Sequence, residues 1–256
     1  MAERDPRFRG RDLSERAFHG PELIGRRVAP PAAPKPRRWR RRIALVIFCL
    51  LTLPIAVIAL YRVVPPPITP LMVIRNVEGL PIRQHWVGYR AIAPSLVAAV
   101  MTSEDEGFCS HDGFDLGAIR EAWRDYRATG RLRGASTISQ QTAKNLFLWP
   151  DHSFVRKAIE AYLTVLIEFL WPKQRILEVY LNIIEWGPGI YGAEVAAQTH
   201  FAHPAASLTR HEAALLAAVL PNPRTLSPLH PAPHVERRVD WILARMAPFL
   251  RGCGGG

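Results

Sequence analysis

The chain has 256 residues, with 33 Lys and Arg against 22 Asp and Glu, and a formal net charge of +11. Residues 1–42 hold 13 Lys and Arg and 5 Asp and Glu, so +8 of this charge belongs to the N-terminal segment. A segment so basic and rich in proline does not join a packed core, and we expect one folded domain after it. Three scattered cysteines are too few to predict a disulfide framework.

The first predicted element is a transmembrane helix over residues 43–64. Residues 43–61 carry no charge over 19 positions, enough for a helix to cross about 30 Å of hydrocarbon. The basic run ending at Arg42 predicts that residues 1–42 form a cytoplasmic tail. A cleavable signal peptide is the rival interpretation, but no small-x-small site precedes Pro65. A nucleic-acid-binding arm is disfavoured because the arginines adjoin an apolar span, so we expect no nucleic-acid partner.

Residues 65–89 are predicted to be a linker and membrane-proximal segment, because they open with a stiff proline run. Apolar residues then recur at helical spacing from Pro94, which predicts a helix ending near Glu104. Residues 154–171 and 173–186 also show helical spacing and are separated by one proline. No stretch alternates with a period of two over a convincing length. The domain is therefore predicted to be mainly α-helical.

Two helix starts are marked by capping boxes, in which Thr is followed three residues later by Gln or Glu. These are Thr137 with Gln140, and Thr209 with Glu212.

The first dense polar cluster, residues 104–113, holds three consecutive carboxylates and a histidine. Crowded carboxylates raise one another's pKa, which suits one of them to general acid or base chemistry. On composition alone, a solvated loop is an equally good interpretation. Cys109 in this cluster invites a nucleophile role, but no charge partner can be assigned to it. We predict instead that it is a small buried filler.

The second cluster supplies cations. Gln141 and Lys144 share one face of a predicted helix, and Glu160 follows Arg156 by four residues, so this pair shares a face of the next helix. A surface salt bridge is the simpler explanation of the pair, and it would contribute only a few tenths of a kcal/mol. Lys and Arg are natural phosphate ligands. Together the two clusters indicate an anionic substrate.

Four motifs occur in order along residues 104–182. They are Glu104-Asp105-x-x-Phe108-x-x-His111-x-Gly113, Gly134-x-Ser136-Thr137-Ile138-x-Gln140-Gln141-x-x-Lys144-Asn145, Arg156-Lys157-x-x-Glu160 and Ile176-Leu177-Glu178-x-Tyr180-Leu181-Asn182. The series resembles the motifs of the peptidoglycan glycosyltransferases, glycosyltransferase family 51, and is most similar to their monofunctional members. Cys109 and Ala135 depart from the typical pattern, at positions outside the matched catalytic residues.

The resemblance implies a lysozyme-like, mainly α-helical domain of two lobes, assigned here to residues 90–248. The Gly-rich residues 249–256 that follow are expected to form a flexible tail. The smaller, membrane-facing lobe would be residues 114–133. Bifunctional relatives carry a transpeptidase domain after this one. Because the sequence stops at Gly256, we expect no transpeptidase activity.

The resemblance also implies the reaction, in which the 4-hydroxyl of lipid II attacks the lipid-linked end of a growing glycan strand and displaces polyprenyl pyrophosphate with inversion. Glu104 matches the family's general base, and Glu160 matches the second essential carboxylate, which assists the leaving pyrophosphate. The matched substrate-binding positions are Asp105, Phe108, His111, Gly134, Thr137, Gln141, Lys144, Asn145, Arg156 and Lys157.

A divalent cation, Mg or Mn, is expected as cofactor, because Glu160 and pyrophosphate oxygens together form a hard-ligand site. The sequence itself has no complete metal-ligand pattern. The expected partners are lipid II, the lipid-linked glycan strand and membrane lipids, with cell-division or elongation proteins also compatible. The expected location is the inner membrane, with one span, a cytoplasmic N-terminus and the catalytic domain on the periplasmic face.

Two alternatives remain open at this point. A hydrolase of the same lysozyme-like fold would also use two carboxylates. It would not need cations beside them, since it has no pyrophosphate to neutralise. A catalytically silent membrane scaffold would be expected to have lost Glu104 or Glu160, and both are present.

Overall fold

A computed structural model of the chain describes residues 38–130, 134, 136–151 and 153–254. Within these residues the chain forms ten α-helices and three short strands, so the predicted mainly α-helical fold is confirmed. The helices are α1 (Arg38–Tyr61), α2 (Pro70–Val77), α3 (Pro94–Glu104), α4 (Leu116–Thr129), α5 (Ile138–Phe147), α6 (Phe154–Leu170), α7 (Lys173–Ile183), α8 (Ala193–Phe201), α9 (Arg210–Val219) and α10 (Pro233–Arg245). Short 3-10 helices occupy Tyr89–Ala91, Ala205–Ser207 and Ala247–Gly254. Of the predicted cytoplasmic tail, residues 1–37 lie outside the described residues.

The helix α1 matches the predicted transmembrane segment closely. Its residues 39–61 include an 18-residue window of mean hydropathy 3.0, and they are long enough to cross a bilayer. The later part of α1 is tied to the rest of the domain. The Trp171 indole donates to the Ile58 carbonyl at 2.7 Å, and the Tyr162 hydroxyl donates to the Leu51 carbonyl at 2.8 Å. Ile58 is fully buried by this packing.

The core is built around α3, which is buried on all sides from Ser95 to Thr102. It lies against α9 and the 3-10 helix Ala247–Gly254, while α10 packs on α9. A second layer is formed by α5 packed against α6 and α7. A helix surrounded in this way needs apolar residues on every face, as α3 has. Its last residue, Glu104, emerges at the edge of this core.

The predicted helix starts are confirmed. Both capping boxes form, at Thr137 with Gln140 and at Thr209 with Glu212. The helix predicted for residues 173–186 ends earlier, at Ile183, because the chain turns there into a small sheet.

The sheet has three strands in the order β1 (Arg83–Gln84), β3 (Ile190–Tyr191) and β2 (Glu185–Gly187). β1 pairs parallel with β3, with Arg83 opposite Ile190, and β2 pairs antiparallel with β3, with Glu185 opposite Tyr191. Strands of two or three residues are too short to produce a readable alternation. Gly189 has φ +71° and a Cβ there would lie 2.2 Å from the Pro81 carbonyl oxygen, so this turn requires glycine.

The segment predicted as a linker, residues 65–89, is only partly one. It contains α2, capped by Thr69, and the strand β1, and Met72 is fully buried in the core. Pro70 stands at the start of α2, where its missing N–H is not needed, so this proline begins a helix instead of extending the spacer.

Two predictions at the C-terminal end are wrong. Cys109 is not a buried filler, because it is exposed and forms a disulfide with Cys253, with Cα atoms 5.2 Å apart. The segment 249–254 is not a flexible tail, since this bond and the packing of the 3-10 helix on α3 hold it. The partners are 144 residues apart in sequence, so no local pattern indicated the pairing.

We predict that Cys253→Ser lowers the free energy of unfolding by about 2–5 kcal/mol, because the bond closes a long loop and so restricts the unfolded chain. Chemical denaturation in detergent measures this. Reduction of the unmodified chain should give the same loss, whereas Cys49→Ser, at a free exposed cysteine on α1, should not. Equal stability of all these forms would contradict the prediction.

Candidate active site

Glu104, the last residue of α3, lies at the centre of the site. Gln141 Nε2 on α5 donates to Glu104 Oε2 at 2.9 Å, and Arg238 on α10 lies 3.4 Å from Glu104 Oε1. Burial raises the pKa of the Glu104 carboxyl above its ordinary value, and the charge of Asp105 acts the same way. The Gln141 hydrogen bond and the charges of Arg238 and Lys144 oppose the rise. A desolvated carboxylate held in this way is a strong candidate for a general base.

Asp105 joins the end of α3 to the start of α5. Its buried carboxylate accepts the backbone N–H of Ile138 at 3.0 Å and His111 Nε2 at 2.9 Å. The Gly113 N–H donates to His111 Nδ1 at 3.1 Å, so the neutral ring carries its proton on Nε2 and donates it to Asp105. A carboxylate at a helix N-terminus is also favoured by the helix dipole. Asp105 and His111 therefore hold the start of α5 next to the end of α3, where Glu104 lies.

Thr137 closes this arrangement. Its hydroxyl donates to the Gly113 carbonyl at 2.7 Å while it caps α5. Gly113 has φ +92°, and a Cβ there would lie 2.9 Å from Thr164. Thr137 is 2% exposed, so it shapes the subsite through the backbone instead of facing an open surface.

Glu160 forms the second part of the site, on α6. Its side chain is 3% exposed and pairs with Arg156 at 2.8 Å and with Lys157. Ser153 caps α6, accepting the Arg156 N–H, so the helix begins just before these residues. The pairing is not the surface salt bridge that the sequence allowed, because Arg156 is also buried. The Arg156 Nε–H is buried and has no hydrogen-bond partner among the described residues.

Lys144 is within electrostatic reach of both parts. Burial lowers the pKa of its ammonium group, the charge of Glu160 opposes this, and that of Glu104 also opposes it. The charges of Arg156 and Lys157 lower the Lys144 pKa further, as expected for three cations near one place. Lys144, Arg156 and Lys157 thus act electrostatically on one another and on Glu160, and Lys144 also acts on Glu104, so the cations of the second cluster lie near the two candidate carboxylates.

The remaining predicted positions differ in exposure. Phe108 is fully buried, with its ring 4.5 Å from Lys173 Nζ and edge-on to His111, so it supports the site from the core. Gly134 is exposed, in a stretch with gaps in the described residues on either side. Asn145 is half-buried on α5, one position after Lys144.

Arg238 and Tyr180 are site residues that sequence reasoning did not assign. Arg238 also donates to the Ser103 carbonyl at 3.1 Å, and a groove of about 620 Å³ beside it is lined by Ser103, His234 and Trp241 among others. Tyr180 on α7 contacts Gln141. Arg238 lies outside all four motifs, so only the packing of α10 near the end of α3 reveals it. Tyr180 stands within the fourth motif, where its apolar spacing indicated only a core residue.

The polar residues of the fourth motif have structural roles. The fully buried Asn182 amide exchanges hydrogen bonds with the backbone of Val87, at 3.0 Å and 2.9 Å. Glu178 accepts the Tyr89 N–H, and Glu185, three residues after the motif, accepts the Gly189 N–H. These contacts hold the segment before α3 against α7 and close the β2–β3 turn.

The family comparison agrees with this geometry. The transglycosylase family model matches residues 72–247. The chain is 56% identical over 216 residues to the biosynthetic peptidoglycan transglycosylase of Rhodospirillum centenum, covering 84% of this chain and 93% of that protein. It is 49% identical to the protein of that name from Caulobacter vibrioides, covering 80% and 90%, and 47% identical to that from Xanthomonas euvesicatoria, covering 89% and 94%.

The chain belongs to the transglycosylase family. The family and the enzyme class predicted from the four motifs, peptidoglycan glycosyltransferase, are thereby confirmed. The match begins at residue 72, so the domain extends to include α2, before the predicted start at residue 90.

We predict different stability losses for two neutralised cations beside Glu160. Arg156→Gln should cost about 2–3 kcal/mol, because it leaves a buried carboxylate with reduced compensation. Lys157→Gln should cost less than about 1 kcal/mol, because its side chain is 48% exposed. Chemical denaturation of the two variants compares them directly. Equal losses would show that burial does not decide the importance of these pairs.

Proposed function

We propose that this chain polymerises lipid II into glycan strands, with Glu104 as general base and the Lys144, Arg156 and Glu160 cluster receiving the departing pyrophosphate. The observation that carries the proposal is the division of the site into two parts of different charge. One part is a desolvated carboxylate, and the other is a carboxylate surrounded by cations.

The base must take the proton from the 4-hydroxyl of the incoming disaccharide as its oxygen attacks the anomeric carbon of the donor. Proton removal by a positioned carboxylate typically accelerates such a step about 10²–10⁴-fold. The raised pKa of Glu104 suits the task, because a more basic carboxylate accepts the proton more readily. Attack from the face opposite the leaving group inverts the anomeric centre.

The leaving group needs positive charge, since pyrophosphate departs as an anion. Arg156, Lys157 and Lys144 supply it from one side of α5 and α6. A hydrolase would have no use for this cluster, and this favours transfer over hydrolysis. The scaffold alternative is disfavoured because both carboxylates are present and held by side chains of the site.

A divalent cation would be held by the Glu160 carboxylate together with oxygens of the substrate's pyrophosphate. Glu160 Oε2 pairs with Arg156 and Oε1 with Lys157, so the metal would share or replace one of these contacts. Among the described residues no group of three His, Cys, Asp or Glu could hold a metal without substrate. Bound Mg²⁺ or Mn²⁺ would add to the charge neutralisation by the three cations.

Membrane attachment is supported by a second surface besides α1. The helix α4, within the lobe predicted to face the membrane, buries only Ala122. Its exposed residues Trp123 and Tyr126 lie on one face, beside a basic face with Arg120 and Arg124. Aromatic rings beside cations suit the headgroup boundary of a bilayer. The predicted lobe residues Arg131, Leu132 and Arg133 lie outside the described residues.

The proposed location is the inner membrane, with the catalytic domain on its outer face. The basic run before α1 supports a cytoplasmic N-terminus. The Cys109–Cys253 disulfide supports an oxidising compartment for the domain. The proposal that cell-division or elongation proteins are partners rests on the enzyme class alone.

We predict that Glu104→Gln abolishes strand synthesis from fluorescent lipid II with Mg²⁺, reducing the rate by at least about 10²-fold while folding is retained. Gel separation of products measures strand length, and thermal unfolding checks the fold. Glu106→Gln is a matched control, because this neighbouring carboxylate is exposed and pairs with Arg245 on the surface. A Glu104→Gln variant with full rate would remove Glu104 from the role of base.

We predict that Trp123→Glu slows synthesis from lipid II in vesicles but not from a short-chain, water-soluble lipid II analogue. The substituted carboxylate would stay out of the headgroup boundary and weaken docking of α4. Leu229→Glu, at an apolar residue of similar exposure between α9 and α10, is the control. Equal rates of the two variants in vesicles would exclude α4 as a membrane contact.

A further inference from the structure

A chain of two hydrogen bonds leads from the core to the proposed base. Tyr180 on α7 is 1% exposed, and its hydroxyl donates to Gln141 Oε1 at 3.0 Å. The same amide donates through Nε2 to Glu104 Oε2 at 2.9 Å. Each step joins a different helix, so α7, α5 and α3 are linked in sequence by this chain.

The two hydrogen bonds have a fixed donor-to-acceptor direction, from Tyr180 through Gln141 to Glu104. The Tyr180 hydrogen finds one acceptor among the described residues, the amide oxygen of Gln141. If the amide turned over, its oxygen would face Glu104 and its NH₂ group would face the tyrosine oxygen. The Tyr180 hydrogen would then be buried without an acceptor, which is costly in a core. Tyr180 therefore keeps the donor side of Gln141 towards the carboxylate.

We propose that Tyr180 is a positioning residue for the base, which holds the Gln141 amide in the one orientation that favours ionised Glu104. The inference rests on the proposed role of Glu104, but it concerns a residue that touches neither substrate nor the reacting atoms.

Other groups also act on Glu104 and must be considered with Tyr180. Arg238 from α10 and Lys144 from α5 favour the ionised carboxylate, and Asp105 in the following turn opposes it. Burial is the largest influence and raises the Glu104 pKa. The amide hydrogen bond is the largest opposing influence, so losing its orientation should raise this pKa further.

The test is the pH dependence of kcat/KM for strand synthesis by the full-length Tyr180→Phe variant. Because the base must be ionised, a higher Glu104 pKa reduces the active fraction at low pH and has little effect at high pH. We expect kcat/KM to fall about five- to tenfold on the acid side, with the ratio to the unmodified enzyme narrowing as pH rises. A loss equal at every pH would indicate a structural role only and overturn the proposal.

Tyr191→Phe is the matched control. Tyr191 is also a fully buried tyrosine, but its hydroxyl has no hydrogen-bond partner among the described residues and it lies on β3. Its pH profile should follow that of the unmodified enzyme. An acid-side loss of the same size in this variant would show that any buried hydroxyl has this effect, and would overturn the assignment to Tyr180.

A double-mutant comparison covers the case in which Tyr180→Phe is unstable. Gln141→Met removes both hydrogen bonds at once, so adding Tyr180→Phe to it should cause no further acid-side loss. Additive losses would show that Tyr180 does not act through Gln141, and would contradict the proposal. If Glu104→Gln keeps its rate, the proposed function is wrong. If Glu104→Gln is inactive but the pH profile of Tyr180→Phe is parallel to that of the unmodified enzyme, only the positioning role of Tyr180 is wrong.

Discussion

The position of the proposed base depends on one buried carboxylate, that of Asp105. It binds the first N–H of α5 and the ring of His111, so the end of α3 and the start of α5 are held at a fixed distance. An unpaired carboxylate in this place would be strongly unfavourable, and each of its bonds satisfies a group that would otherwise be unpaired. Glu104 precedes Asp105 directly. Its carboxylate is consequently presented to Gln141, one turn into α5.

Helix α5 serves both parts of the site, because it supplies a hydrogen-bond donor to Glu104 and a cation to the group around Glu160. Gln141 and Lys144 lie three residues apart, so they share a face. Gln141 gives Glu104 a neutral hydrogen bond that favours the ionised carboxylate, the form that can accept a proton, whereas Lys144 adds a cation to the group around Glu160. Arg238 is a second partner of the Glu104 carboxylate, at 3.4 Å, and its charge acts in the same direction.

Sequence reasoning succeeded where the signal is local and failed where it is not. Capping boxes and helical spacing depend on neighbours three or four residues apart, so the starts of α5 and α9 were predicted correctly. The Cys109–Cys253 bond and the Arg238 contact join residues more than 130 positions apart, and no spacing indicates them. A motif match also does not show whether a residue takes part in the reaction or only supports the site. Phe108 belongs to the matched series, yet only its burial shows that it supports the site from within.

The two faces of α6 connect this chemistry with the membrane. Arg156, Glu160 and Thr164 recur every fourth residue on its buried face, while Phe154, 95% exposed, and Phe169, 84% exposed, lie outside that face. The α6 contact with Leu51 lies ten residues before the end of α1, about 15 Å along the helix axis. With α1 spanning a bilayer, the exposed apolar residues Phe154 and Phe169 of α6 would contact lipid, because the Tyr162–Leu51 contact holds this helix beside α1. The buried face of the same helix carries the Arg156–Glu160 pair, so one helix supplies both a membrane contact and part of the site.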